Sequence, residues 1–122
     1  MNALNLSKFN TKNVVNMGKM FYYCSSLNKL NLSNFNTNNV RNMNSIFLGC
    51  RSLKELNLNN FNTNKITDMA GMFSGCSSLK KLNLNNFNTN NVKYLSGMFY
   101  KCSNELVIKI KTQYKNIKEE AF

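Results

Sequence analysis

An eleven-residue segment recurs four times along the chain at a fixed interval, and this repetition constrains the fold more than any other feature of the sequence. The segment reads LNLSKFNTKNV from Leu4, LNLSNFNTNNV from Leu30, LNLNNFNTNKI from Leu56 and LNLNNFNTNNV from Leu82, so successive copies start 26 residues apart. A unit of this length cannot bury its apolar side chains alone, whereas stacked units merge them into one continuous core. The sequence therefore predicts a repeat protein.

Apolar residues occupy the same columns in every copy. Two leucine columns come first, followed by phenylalanine and branched residues. They are Leu4, Leu30, Leu56, Leu82; Leu6, Leu32, Leu58, Leu84; Phe9, Phe35, Phe61, Phe87; and Val14, Val40, Ile66, Val92. Later columns hold methionine or other aliphatic residues, a second phenylalanine, cysteine and leucine. They are Met17, Met43, Met69, Leu95; Met20, Ile46, Met72, Met98; Phe21, Phe47, Phe73, Phe99; Cys24, Cys50, Cys76, Cys102; and Leu27, Leu53, Leu79.

The spacing of these columns changes within each unit. The L-x-L pair alternates as a short strand does, with both leucines inward and the residue between them outward. From Val40 to Leu53 apolar residues recur every three or four positions, which is typical of a helix with one apolar face; Gly71 and Gly97 instead indicate a turn or an interrupted helix. The predicted fold class is an α/β repeat: a curved solenoid with a short parallel sheet on one face and short helical or irregular turns on the other.

The C-terminal segment departs from the repeat. LVIKI places Ile108 and Ile110 where strand leucines should fall, which predicts a fifth strand in register. We therefore assign residues 1–112 to a solenoid of about four 26-residue repeats and residues 113–122 to a cap, in which Tyr114, Ile117 and Ala121 have helical spacing. No comparable cap is expected before the first repeat, so that end should be exposed to self-association or continue into a longer parent chain.

Asparagines fall into two groups with different expected roles. Those of the F-N-T segment follow a buried phenylalanine, and their amides should hydrogen-bond along the stack and satisfy turn backbone, while the threonines should help to start the following turn. These are Asn10, Asn36, Asn62 and Asn88, with Thr11, Thr37, Thr63 and Thr89. The asparagines inside L-x-L should instead form a polar row on the exposed face of the sheet, namely Asn5, Asn31, Asn57 and Asn83.

The exposed sheet face is the candidate binding surface. Its outward columns predict a strip of hydrogen-bonding groups with scattered charge, formed by Lys29, Asn31, Ser33, Glu55, Asn57, Asn59, Lys81, Asn83, Asn85 and Lys109. The alternative is a face that is merely polar enough to keep the protein in solution.

Charge leaves two interpretations open. The net charge is +11, but the basic residues are spread along the chain without a block of five or six. A dispersed basic surface can serve solubility alone, or it can bind polyanions such as glycosaminoglycan, nucleic acid or an anionic membrane.

Composition argues against catalysis and metal binding. The chain has no histidine and one aspartate, whereas general acid–base catalysis usually draws on histidine or paired carboxylates. Cysteines spaced 26 apart do not match zinc motifs, and each lies in an apolar column, which favours buried free thiols. We predict no enzyme activity, no cofactor, no metal and no small-molecule substrate. No apolar run is long enough to span a membrane.

The repeat resembles a known family. FYYCSSLNKLNL, residues 21–32, has the form F-x-x-C-x-x-L-x-x-L-x-L, and S-x-F-N-T-x-x-V-x-x-M-x-x-M-F completes the unit. Both are similar to BspA-like leucine-rich-repeat surface proteins over residues 3–110. The family departs from common leucine-rich repeats, in which Asn or Cys stands where Phe35 does here.

This resemblance implies a leucine-rich-repeat-type solenoid in a secreted or cell-surface protein of bacterial type. It implies adhesion through binding to extracellular-matrix, host or neighbouring-cell proteins, without catalysis. The start of the chain lacks the apolar region of a signal peptide, so the protein is either cytoplasmic or a fragment of a longer exported chain. The missing front half of the first repeat, and the absence of a cap there, favour the fragment. A spacer that holds another domain away from the cell is a further alternative.

Overall fold

The structure is a computed structural model that describes residues 3–122. Four strands of two residues each lie at equivalent points of the four repeats: β1 Ala3–Leu4, β2 Lys29–Leu30, β3 Glu55–Leu56 and β4 Lys81–Leu82. β1 pairs with β2 and β3 with β4, both in parallel, so that Leu4 lies opposite Leu30 and Leu56 opposite Leu82. The parallel pairing expected of successive repeats is therefore present in these two sheets.

A second set of parallel pairings joins the other half of each repeat to the next. Consecutive bridges link Asn16, Asn42, Asp68 and Tyr94. From there, alternate backbone N–H groups donate to the following repeat, as from Met17 N to Asn42 O at 2.9 Å and from Phe21 N to Ile46 O at 2.9 Å. The same bonds recur between the second and third repeats and between the third and fourth. Each repeat is thus hydrogen-bonded in register to its neighbour.

Of the two alternatives that the sequence left open for residues 40–53, the structure has turns and not a helix. Backbone N–H groups there alternate between the next repeat and the carbonyl three residues back, as Ile46 N bonds Met43 O at 3.3 Å. Left-handed residues also interrupt it, with φ of 57° at Ser45 and 80° at Gly49. In an α-helix every backbone N–H donates to the carbonyl four residues back. Here half of the N–H groups donate to the next repeat instead, so a helix cannot form.

The core lies inside the stack, between the pairings of the strands and the second set of parallel pairings. Phenylalanines of the second column stack face to face, with ring centroids 5.8, 5.7 and 5.4 Å apart from Phe21 through Phe47 and Phe73 to Phe99. Side chains of the two middle repeats, such as Met43 and Ile66, are completely buried. In the first repeat, Phe9 is 54% exposed and Met20 37%, because no earlier repeat covers them in residues 3–122.

The predicted fifth strand is wrong. LVIKI lies in helix α1, Asn104–Gln113, and a 3₁₀ helix follows at Glu119–Ala121. The segment satisfies two periodicities, and the helical one prevails: Leu106 and Ile110 are buried four residues apart, while Ile108 is 64% exposed. Ser103 caps the helix, because its side chain accepts a hydrogen bond from Leu106 N at 3.2 Å. The repeats consequently end near residue 103 and not at residue 112.

The segment from Asn104 to Phe122, named here the C-terminal cap, lies where another repeat would stack. Its last ring, Phe122, continues the phenylalanine column at 5.3 Å from Phe99. Gly97 N donates to Glu120 O at 2.9 Å and Phe99 N to Ala121 O at 2.7 Å, as each would to a following repeat. Ala121 is completely buried, and the predicted inward residues Tyr114 and Ile117 pack partly against the core.

Candidate binding groove

A groove with a volume of about 1310 Å³ follows the strands β2, β3 and β4. Leucines from the three strands form its apolar floor, and asparagine and lysine side chains form its walls. At one end it is closed by Gln113 and Tyr114, which are the last residue of α1 and the residue after it. The groove therefore joins equivalent positions of three repeats to the cap.

Most residues predicted for the binding face line this groove. Those that do are Lys29, Asn31, Glu55, Asn57, Asn59, Lys81, Asn83 and Asn85. Ser33 lies beside a second, smaller pocket of about 370 Å³, which Asn31, Asn57 and Asn59 also line. Lys109 borders neither, because it lies in α1 and pairs with Glu105 at 3.4 Å. Its assignment to the asparagine row assumed a fifth strand and is wrong.

The asparagine row is held in one orientation by the backbone. Each Oδ1 accepts a hydrogen bond from the backbone N–H two residues later, at 2.9 Å for Asn31 and Asn57 and 2.8 Å for Asn83. Such a bond fixes the side-chain amide and leaves its NH₂ group outward. All three residues are exposed, and their Nδ2 atoms donate to no other residue of the range 3–122. The row thus presents oriented donors on successive repeats.

The groove carries a net positive charge. Four exposed lysines, Lys29, Lys54, Lys80 and Lys81, line it together with one exposed acid, Glu55, giving a formal charge of +3 from four positive groups and one negative. Glu55 lies directly opposite Lys81 in the β3–β4 pairing. Oriented N–H donors and ammonium groups together favour carboxylates and carbonyl oxygens as ligand groups.

Sequence reasoning missed five polar groove residues. Asn28, Lys54 and Lys80 directly precede β2, β3 and β4, and their position outside the L-x-L alternation gave no indication of which way they face. Gln113 and Tyr114 were missed because their place depends on α1 folding back over the fourth repeat. There the Tyr114 hydroxyl accepts a hydrogen bond from Leu84 N at 3.0 Å, which fixes the ring at the end of the groove.

The F-N-T asparagines fix turn backbone, as predicted, and the threonines link the repeats, which the sequence did not predict. Asn36 Oδ1 accepts from Asn38 N at 2.9 Å and so fixes the turn. The hydroxyl of Thr37 both donates to Asn62 O at 3.0 Å and accepts from Asn62 N at 2.8 Å. Thr11 and Thr63 do the same to the next repeat. These columns are structural and lie outside the groove.

The cysteines are free, and the two in the middle repeats are completely buried. Each of three thiols donates to the carbonyl of a phenylalanine in the preceding repeat, as Cys50 Sγ does to Phe21 O at 3.2 Å and Cys76 Sγ to Phe47 O at 3.2 Å. Burial raises the pKa of Cys50 to about 12 and that of Cys102 to about 12, and it raises the pKa of Cys76 further still. These thiols stay protonated and act as packing groups.

These observations define a class of protein in which 26-residue repeats stack on one another and carry a polar, basic groove. The chain belongs to the family described as "Mycoplasma protein of unknown function, DUF285", whose model matches residues 1–114. No curated protein matches the chain, and no solved structure does. Within residues 3–122, no helix has the length and apolar character needed to cross a bilayer.

Proposed function

We propose that the chain is a non-catalytic, protein-binding repeat module of the leucine-rich-repeat type, and that its stacked units form a solenoid. It belongs to a secreted or cell-surface protein and contributes to adhesion by holding a host or neighbouring-cell protein in the groove. The family resemblance supplies the cellular setting, and the groove supplies the mode of binding.

One observation carries this proposal, namely the row of oriented asparagine amides flanked by lysines. A protein ligand offers carbonyl oxygens and carboxylates, which match N–H donors and ammonium groups. The leucines that line the groove, Leu30, Leu56 and Leu82, add apolar contact. Glu55 is the only acid that lines the groove, so the paired carboxylates that acid–base chemistry often uses are missing from its lining.

A second candidate is binding to polyanions, favoured by the four groove lysines and the net charge of +11. The two candidates differ in their dependence on salt. Polyanion binding releases condensed counterions, so its affinity falls steeply as salt rises. Binding that uses the amide row and the apolar floor depends less on ionic strength.

Biolayer interferometry of the purified chain against fibronectin, fibrinogen, heparin and duplex DNA, at about 50 and about 300 mM salt, separates these functions. We expect binding to a matrix protein that persists at the higher salt. Binding only to heparin and DNA, lost at the higher salt, would replace the adhesion proposal with the polyanion one. A chain that binds none of these probes would favour a spacer.

The amide row is tested by replacing Asn31, Asn57 and Asn83 with aspartate. Aspartate keeps the oxygen that accepts the backbone N–H but converts the outward donor into an acceptor, so ligand binding should be lost without loss of fold. The matched control replaces Asn38, Asn64 and Asn90, which are exposed and outside the groove, with the same change of charge. Equal loss of binding in both triple variants would show that net charge, and not the row, governs the interaction.

A further inference from the structure

The two ends of the stack present complementary edges. At the first repeat, the carbonyls of Asn16, Gly18, Met20 and Tyr22 accept no hydrogen bond from residues 3–122. In every later repeat, the equivalent carbonyls accept bonds from the preceding repeat, as Ile46 O does from Phe21 N. The side chains of Phe9 and Met20 in the same repeat are exposed. This edge is an acceptor edge with an apolar interior.

At the fourth repeat, the matching donors are only partly used by the C-terminal cap. Gly97 N and Phe99 N bond the carbonyls of Glu120 and Ala121. Leu95 N and Lys101 N, whose equivalents Met69 N and Gly75 N each bond the next repeat, donate to no residue within 3–122. The cap therefore fills two of the four positions that a following repeat fills.

The cap turns a charged surface outward over the phenylalanine column. Lys111 Nζ lies 4.8 Å from the centroid of the Phe122 ring and 3.0 Å from Glu119 Oε1. A second repeat cannot stack on Phe99 while Phe122 occupies that place. A charged outer face is the feature that keeps the end of a repeat array from associating.

From these observations we infer that the C-terminal cap is an intramolecular competitor for a second copy of this chain. When the cap is displaced, the first repeat of another molecule stacks on the fourth repeat, head to tail. That repeat offers all four acceptor carbonyls, and Met20 becomes buried as Ile46, Met72 and Met98 are. The three interfaces between repeats within the chain are the template for this contact. Because the contact is heterologous, it propagates into open filaments and not into closed dimers.

Sedimentation of the full chain and of the Phe122→Ala variant, over a range of concentrations, tests this inference. The variant loses the ring that covers Phe99, so its distribution should shift from monomers toward dimers and larger species as concentration rises. The double variant Phe122→Ala/Met20→Lys should return to the monomer, because a lysine at Met20 places a charge in the new interface. Exchange of the Gly97 and Phe99 amides reports whether the cap has been released.

If Phe122→Ala leaves those two amides protected, Ala121→Glu is the second variant, because a charge at this completely buried position cannot remain docked. A chain that has released its cap, keeps its folded circular dichroism and stays monomeric at every concentration overturns the inference. So does association that Met20→Lys does not reduce, since it would use some other surface.

Discussion

Each buried threonine of the F-N-T segment serves two backbone groups with one hydroxyl. Thr37 bonds both the N–H and the carbonyl of Asn62, and it is 1% exposed. Removing the hydroxyl without changing the shape leaves both groups of Asn62, which are partly buried, without a partner. Such groups cost about 1–3 kcal/mol each.

We therefore expect Thr37→Val to lower the free energy of unfolding by about 2–4 kcal/mol, as measured by urea denaturation. Thr89→Val is the matched control, because Thr89 is the last of its column and its hydroxyl bonds no following repeat in residues 3–122. Equal destabilisation by the two substitutions would show that the inter-repeat bonds are not the source of the effect.

Glycine avoids the strain of left-handed backbone in the turns, although Tyr23 and Lys101 adopt that conformation at the equivalent positions of other repeats. At Gly75 φ is 76°, and a methyl group there would meet only ordinary contacts at 3.5 Å, so conformation and not space is at issue. Gly75→Ala should destabilise the fold by about 1–2 kcal/mol in the same denaturation assay. Gly75→Asn should cost less, since asparagine tolerates this conformation. A cost for asparagine equal to that for alanine would contradict the backbone explanation.

The buried thiols make stability fall at alkaline pH. An unfolded cysteine loses its proton near the ordinary pKa of 9.0, whereas Cys50 and Cys102 keep theirs to about 12. Between these values the folded state binds more protons than the unfolded state, so stability is full below about pH 9 and is lost as the pH rises toward 12. Cys76, whose pKa is also raised by burial, adds to the same trend.

Thermal unfolding between pH 8 and pH 11 should thus show a decline that is steeper for the natural chain than for a variant with alanine at Cys50, Cys76 and Cys102. Both proteins carry the same lysines and tyrosines, so the difference between the two slopes isolates the thiols. Parallel slopes would mean that these cysteines are not protonated preferentially in the folded state.

At the scale of elements, local periodicity predicted some segments and misassigned others. The L-x-L strands and the asparagine-fixed turns follow from local pattern, because Asn31 and Asn36 bond backbone within two residues. The segment Val40–Leu53 has helical spacing, yet its backbone bonds the next repeat, and that competition is not encoded locally. LVIKI fits both strand and helix, and only the packing of Leu106 and Ile110 on the fourth repeat decides between them.

The residues of the candidate groove also fall into two groups, those that local pattern predicts and those that it does not. Its strand-borne residues, such as Asn57 and Lys81, were predictable from alternation within L-x-L. Tyr114 was not, because its position depends on a helix that the sequence pattern did not reveal. Residues brought in by tertiary packing are the part of a site that repeat alignment cannot supply.

The last residue of the chain holds the C-terminal cap on the stack. Phe122 contacts the Phe99 ring on one side and the Lys111 ammonium on the other. Phe122→Ala should lower the free energy of unfolding by about 2 kcal/mol, less than for a fully buried phenylalanine. Hydrogen exchange at the Gly97 and Phe99 amides should accelerate with it. The control Ile108→Ala, at an exposed position of α1, should change stability by less than about 0.5 kcal/mol, and a comparable effect there would contradict a special role for Phe122.

Across the whole molecule, burial is greatest in the middle and decreases toward both ends. Phe47 and Phe73 are completely buried between repeats, whereas Phe9 and Met20 are exposed at the first repeat. Because each repeat contacts only its neighbours, the ends should open without the middle.

Native-state hydrogen exchange should therefore rank four equivalent amides. Each lies in the same column and bonds the following unit or the cap: Phe21, Phe47, Phe73 and Phe99. Phe47 and Phe73 should exchange slowest, with Phe21 and Phe99 faster. Equal protection at all four would indicate a single cooperative unit and contradict opening from the ends.

The repeated interface has a consequence for how such a chain changes over generations. Because all three junctions between repeats use equivalent bridges, a unit inserted between two others meets the surfaces that it presents itself. Recombination between neighbouring copies in the gene would add or remove a complete unit without a mismatched junction. The groove would then lengthen or shorten in steps of about 4.8 Å, the spacing of paired strands. The length of the groove and its chemistry can therefore change independently. Gene recombination changes the length, and point substitutions at Lys29, Glu55 and Lys81 change the chemistry.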